Sequence, residues 1–72
     1  MAKVKKYTDA NNFELVEVKV GDTVCFKSDH EQCGVITKIN GRLLTLEDPD
    51  GFGGEYLRYA KVTQERAEDC WI

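Results

Sequence analysis

The dipeptide Asn40-Gly41 stands between two runs that alternate apolar and polar residues, "CGVITKI" before it and "RLLTLED" after it. Asn-Gly favours the tight turns whose twist matches two antiparallel strands, so the stretch reads as a β-hairpin. The same period of two recurs upstream. In "FELVEVKVGD", Val16, Val18 and Val20 alternate with Glu17 and Lys19. In "TVCFKS", Val24 and Phe26 share one face while Thr23, Cys25 and Lys27 take the other. Short extended segments punctuated by turns point to a mainly β domain.

The turns fall where strand chemistry stops. "DANN" (Asp9–Asn12), Gly21-Asp22 and "DPDGFGG" are turn sequences, and "SDHEQ" reads as a polar loop. "VKKY" (Val4–Tyr7) fits a short first strand. "EYLRYAKV" fits a last one, with Leu57 and Tyr59 on one face and Tyr56 and Arg58 on the other. The ending changes character. Thr63 suits an N-cap, Glu65 a first helical turn, and Val62 with Ala67 a hydrophobic staple; a short helix is expected over residues 64–71. The expected core is Val16, Val18, Val20, Val24, Phe26, Val35, Ile39, Leu44, Leu46, Leu57, Tyr59 and Trp71. A chain of 72 residues has room for one domain, residues 1–72.

The run "VKVGDTVCFKSDHEQCGVITKINGRLLTLE" resembles SH3-like barrels of the KOW and Tudor type. Their mark is a "VGDxV" strand entry, a loop, "GxVxxI", a tight turn and a further strand. Here those positions are Val20-Gly21-Asp22-Thr23-Val24, then Gly34 to Ile39, then Leu43 to Glu47. The resemblance covers a little under half the chain. It implies a small barrel of five or six antiparallel strands over residues 4–62, closed by the terminal helix, that binds through loops and one exposed face. The whole chain, with its "GFGGEYLRYAKVT…CWI" ending, also resembles small proteins carried by bacteriophages, a likeness that brings no activity with it.

Composition narrows the function classes. With 42% hydrophobic and 32% charged residues the chain is globular rather than disordered. A net charge of −3 argues against binding nucleic acid by bulk charge, although a local basic patch remains open. The apolar runs are too short for a membrane-spanning helix, and "MAKVKKYTDA" lacks the apolar stretch of a secretory signal. The expected compartment is the cytoplasm. Three cysteines, an odd count, are then expected to be reduced thiols.

Cys25, His30, Cys33 and Cys70 invite a zinc reading, but C-x4-H-x2-C lacks the paired short spacings of a compact tetrahedral site. No metal and no cofactor are expected. The acidic residues Glu47, Asp48, Asp50 and Glu55 meet only the later part of a calcium-loop pattern and read as a polar turn. One histidine, no recognisable nucleophile motif and no phosphate-binding loop argue against an enzyme.

The stretch "GFGGEYLRYAK" offers the best binding chemistry. Phe52 sits between glycines, and Tyr56 and Arg58 face outward with Lys61 nearby. Aromatic rings beside an arginine suit stacking and anion recognition. The plainer alternative has Phe52 and Tyr59 capping the barrel and Tyr56 and Arg58 as an exposed pair. The leading expectation is a non-enzymatic protein-interaction module, with a host protein as one possible partner. A nucleic-acid or nucleotide binder using Lys3, Lys5, Lys6, Lys38, Arg42, Arg58 and Lys61 is the first alternative, and a zinc-stabilised domain the second. A monomer or a weak dimer through an edge strand is expected.

Overall fold

The computed structural model describes residues 2–72 and is mainly β. Strands β1 (Ala2–Tyr7) and β2 (Phe13–Val18) form one antiparallel hairpin. Strands β3 (Thr23–Ser28), β4 (His30–Asn40), β5 (Leu43–Glu47) and β6 (Val62–Arg66) follow as a four-stranded antiparallel meander. The residues after β6 join the two sheets. Trp71 donates its backbone N–H to the Cys25 carbonyl at 2.9 Å and accepts from the Cys25 N–H at 2.8 Å. On the other side, Ile72 donates to the Lys5 carbonyl at 2.8 Å. Among the described residues no ladder joins β2 to β6, so the sheets do not close on themselves.

One apolar cluster lies on the inner faces. It takes Ala2 and Val4 from β1, Val18 from β2, Val24 and Phe26 from β3, Ile36 from β4 and Leu44 and Leu46 from β5, with Phe52, Ala67 and Cys70. The rings of Phe26 and Phe52 meet edge to face at 5.4 Å. Val16, Ile39 and Leu57 pack at the margin.

Strict alternation along β4 would bury Val35 together with Ile39. Instead Val35 is 40% exposed and Ile36 is fully buried. The cause is a break in register between Ile36 and Lys38, where the β4–β5 ladder carries an extra residue. Such a bulge inverts the side-chain parity, so Gly34 and Ile36 point inward before it and Ile39 after it. Gly34 is needed for a close approach: a Cβ there would lie 2.9 Å from Phe52 Cζ and 3.2 Å from Leu46 Cβ.

Other expectations are corrected. Val20 is exposed because β2 ends at Val18, and the chain then turns through Lys19–Asp22, with the Asp22 N–H donating to the Lys19 carbonyl. "SDHEQ" is no loop, since β3 runs to Ser28 and β4 starts at His30, leaving Asp29 as a one-residue apex at φ 65°. The helix expected over 64–71 shrinks to a single 3₁₀ turn, Ala67–Asp69. Residues 62–66 pair with β5 instead, and the Thr63 hydroxyl donates to the Glu65 carboxylate at 2.7 Å rather than capping a helix. Trp71 is therefore a half-buried member of the bridging segment, not a core plug.

Candidate functional site

The expected strand "EYLRYAKV" is absent before Val62. Residues 48–61 form a turn-rich connection between β5 and β6, and its ends are held together by the Asp48 N–H donating to the Lys61 carbonyl at 2.9 Å. Asp48 Oδ1 accepts from the Asp50 N–H at 2.9 Å, and the Asp48 carbonyl accepts from Gly51 at 3.0 Å. The acidic stretch is thus a side-chain-braced turn. Among the described residues no three His, Cys, Asp or Glu side chains are grouped to hold a metal ion.

Phe52 does not serve as a surface ring. It is 1% exposed, seated over Gly34 and against Phe26, and it anchors the connection in the core. A second anchor is polar. The Gln32 side chain on β4 accepts from the Gly53 N–H at 2.7 Å and donates to the Gly53 carbonyl and the Ser28 carbonyl, both at 3.0 Å. A third comes from the hairpin apex, where Asp29 Oδ2 accepts from the Glu55 N–H at 2.8 Å.

Past these anchors the chain makes a tight turn. Arg58 N–H donates to the Gly54 carbonyl at 2.9 Å, and Arg58 Nε donates to the Glu55 carbonyl at 3.1 Å. Arg58 and Tyr59 both have positive φ, 49° and 66°, a conformation that non-glycine residues seldom take. That twist carries Tyr59 outward rather than into the core. Tyr56 is 85% exposed and Tyr59 76%, while Leu57 folds back against the core margin. Of the expected site residues, Tyr56, Arg58 and Lys61 are exposed on this connection and Phe52 supports it from beneath. Tyr59 was missed, because its exposure depends on a backbone conformation that the alternating pattern does not encode.

The basic residues of the nucleic-acid reading are partly gathered elsewhere. Lys3, Lys5 and Arg42 line a groove of about 340 Å³ with Leu15, Ala67 and Glu68. Beside it Lys5 Nζ lies 5.2 Å from the Phe13 ring centre, and Phe13 meets Tyr7 edge to face at 5.8 Å. Arg58 and Lys61 belong to the 48–61 connection, and Lys6 and Lys38 are exposed outside the groove lining.

The cysteines do not remain three free thiols. Cys25 and Cys33 are directly opposite in the β3–β4 ladder, with Cα atoms 3.9 Å apart, and form a disulfide. Both backbone groups of Cys25 are engaged by Trp71, so this is a non-hydrogen-bonded pair, the kind that brings cross-strand side chains closest. One signal was available: the two cysteines are equidistant from Asp29. Their sulfurs are joined to each other, and Cys70 is buried in the core. Burial, reinforced by Glu65 and Asp69, pushes the Cys70 thiol up to about 12, so it stays protonated. His30 lies with its ring against Gly53.

Comparison with known proteins finds no match among family models, curated proteins or solved structures.

Proposed function

We propose that the protein is a small non-enzymatic binding module that engages a protein partner through the turn bearing Tyr56, Arg58 and Tyr59. One observation carries this reading: two tyrosines, 85% and 76% exposed, stand on a turn tied down by Phe52, Gln32 and Asp29. Tyrosine offers a large flat contact with little side-chain entropy to lose, and Arg58 can grip a carboxylate with paired hydrogen bonds. Because the turn is already anchored, association costs less ordering. A partner with an acidic rim around an apolar patch fits this surface. Holding Arg58 and Tyr59 at positive φ is unfavourable in itself, and such backbone is retained where it serves a function.

The six antiparallel strands, curled around one core and linked at Trp71, support an SH3-like barrel of the KOW or Tudor type as the finer description of the fold. A bacteriophage origin, a host protein as partner and a cytoplasmic location belong to the same proposal. No helix among the described residues is long and apolar enough to cross a membrane.

Affinity capture with the wild type and with Tyr56→Ala/Arg58→Ala tests the docking turn. A specific partner kept by the wild type and lost by the variant is expected, with both proteins equally folded. Equal capture by both, or no partner at all, overturns it. The groove of Lys3, Lys5 and Arg42 beside the Phe13 ring favours a second reading, single-stranded nucleic acid held by stacking and phosphate contacts. It requires affinity for a single-stranded oligonucleotide that falls steeply with salt and is lost in Lys5→Ala/Arg42→Ala.

A further inference from the structure

The disulfide closes a ring from Cys25 to Cys33 whose apex is Asp29. That ring carries both polar anchors of the docking turn, the Asp29 carboxylate and the Gln32 amide. Its two sulfurs belong to residues in different surroundings. Cys33 is exposed on the outer face, whereas Cys25 is half-buried beside the bridging Trp71. The Cys25–Cys33 pair has no backbone hydrogen bonds of its own, so the disulfide is an added cross-link between the ladder pairs Val24–Gly34 and Phe26–Gln32 that flank it.

We propose that Cys25–Cys33 is a thiol–disulfide exchange site that controls the order of the Tyr56–Tyr59 turn. Oxidised, the ring holds Asp29 and Gln32 where they bind Glu55 and Gly53; reduced, the tip of the hairpin loosens and the turn is released. The part of this inference that concerns partner docking rests on the function proposed above. The link between disulfide and turn does not.

The co-reactant is a dithiol. One of its thiolates attacks the exposed Cys33 sulfur, the S–S bond breaks, and Cys25 departs as a thiolate that takes a proton from water. The second thiol of the reductant then attacks the mixed disulfide and expels Cys33, which is protonated in turn. Two electrons pass to the protein, and the reductant leaves as a disulfide. A small-molecule disulfide such as oxidised glutathione reverses the sequence. Cys70 does not compete, because it is buried and its thiol stays protonated. In a cytoplasm, where dithiols keep accessible cysteines reduced, an exposed disulfide is a state to be entered and left rather than a permanent staple.

Amide hydrogen exchange of the air-oxidised protein, before and after dithiothreitol, tests the proposal without any partner. The Gly53 and Glu55 amides, which donate to Gln32 and Asp29, are expected to exchange about tenfold faster once the ring is opened. The Gly21 and Ala67 amides, bonded to the Ile36 and Arg42 carbonyls, serve as references that stay within about twofold. A Cys25→Ser/Cys33→Ser variant should show the reduced pattern in both buffers. Unchanged protection of Gly53 and Glu55 on reduction overturns the proposal. So does equal acceleration of all four amides, which means that the disulfide only supports the fold, and so does mass spectrometry finding both cysteines as thiols after oxidation. A failure here leaves the alanine variants of the docking turn as a separate test, so the two readings can fall independently.

Discussion

Two connections flank β5, and they are built in opposite ways. The one before it is local: Asn40 pairs with Leu43, leaving Gly41 and Arg42 as a two-residue turn with positive φ at Gly41, 62°, and open space around it. Positive φ at the first central residue alone is the Gly-X pattern of a type II′ hairpin, so the turn sits one residue later than an Asn-Gly centre would place it. The connection after β5 is held from a distance. Its side-chain partners lie on β4 and at the β3–β4 apex, separated from it by 21 and 26 residues in sequence. A turn of the first kind takes its shape mainly from its own residues and the two strands it joins. One of the second kind has a shape only while the hairpin beside it stands, which also makes it open to control through that hairpin.

The contrast breaks most visibly at Phe52. Phe52→Ala empties a site against Phe26 and Gly34 and should lower stability by about 3–5 kcal/mol in denaturant unfolding. Weakening of about 0.5 kcal/mol or less would mean that the long connection does not depend on its core anchor. Gln32→Ala removes both bonds to Gly53 and should cost about 1–3 kcal/mol, with the exchange of the Gly53 amide accelerated more than that of the Gly21 amide.

Gly41→Ala places a side chain at positive φ with no steric neighbour, so the loss should be about 1 kcal/mol and leave Gly53 and Glu55 protection unchanged. Loosening of the distant connection by this variant would erase the distinction between the two kinds of turn. The smallest effect belongs to a third, local turn. The Asp9 carboxyl is held below its usual range first by the Asn12 side chain and then by the Asn11 N–H. The bracing it gives is present above the unfolded carboxyl pKa and fades as pH falls through the lowered folded value. Exchange at the Asn11 and Asn12 amides, corrected for its intrinsic pH dependence, should rise in acid, and in Asp9→Ala it should be fast at every pH.

Most of the strands were legible from their own residues. Val24 and Phe26, and Leu44 and Leu46, face the core where period-two alternation puts them, and "DANN" turns where Asp and Asn can bond their own backbone. The parity of β4 was not legible, because one extra residue near Thr37 moves burial from Val35 to Ile36 without any change in local composition. The candidate site was half visible. Tyr56, Arg58 and Lys61 are exposed as their chemistry suggested, but Phe52 is buried and Tyr59 is not.

The division follows the range of the interactions. Alternation and turn chemistry are decided by φ and ψ of adjacent residues, so the sequence by itself determined that this chain forms short strands separated by turns at Asp9–Asn12, at Gly21-Asp22 and beside Asn40, the last centred on Gly41-Arg42. Tertiary structure decided what required partners brought from elsewhere. It set Cys25 against Cys33 once Asp29 had become an apex, drew residues 62–66 onto the β5 edge rather than into a helix, and placed Phe52 in the gap above Gly34. In each case a segment with an adequate local alternative took the arrangement that buried apolar surface or satisfied its backbone hydrogen bonds against a distant strand, because those gains outweigh the weak local preference.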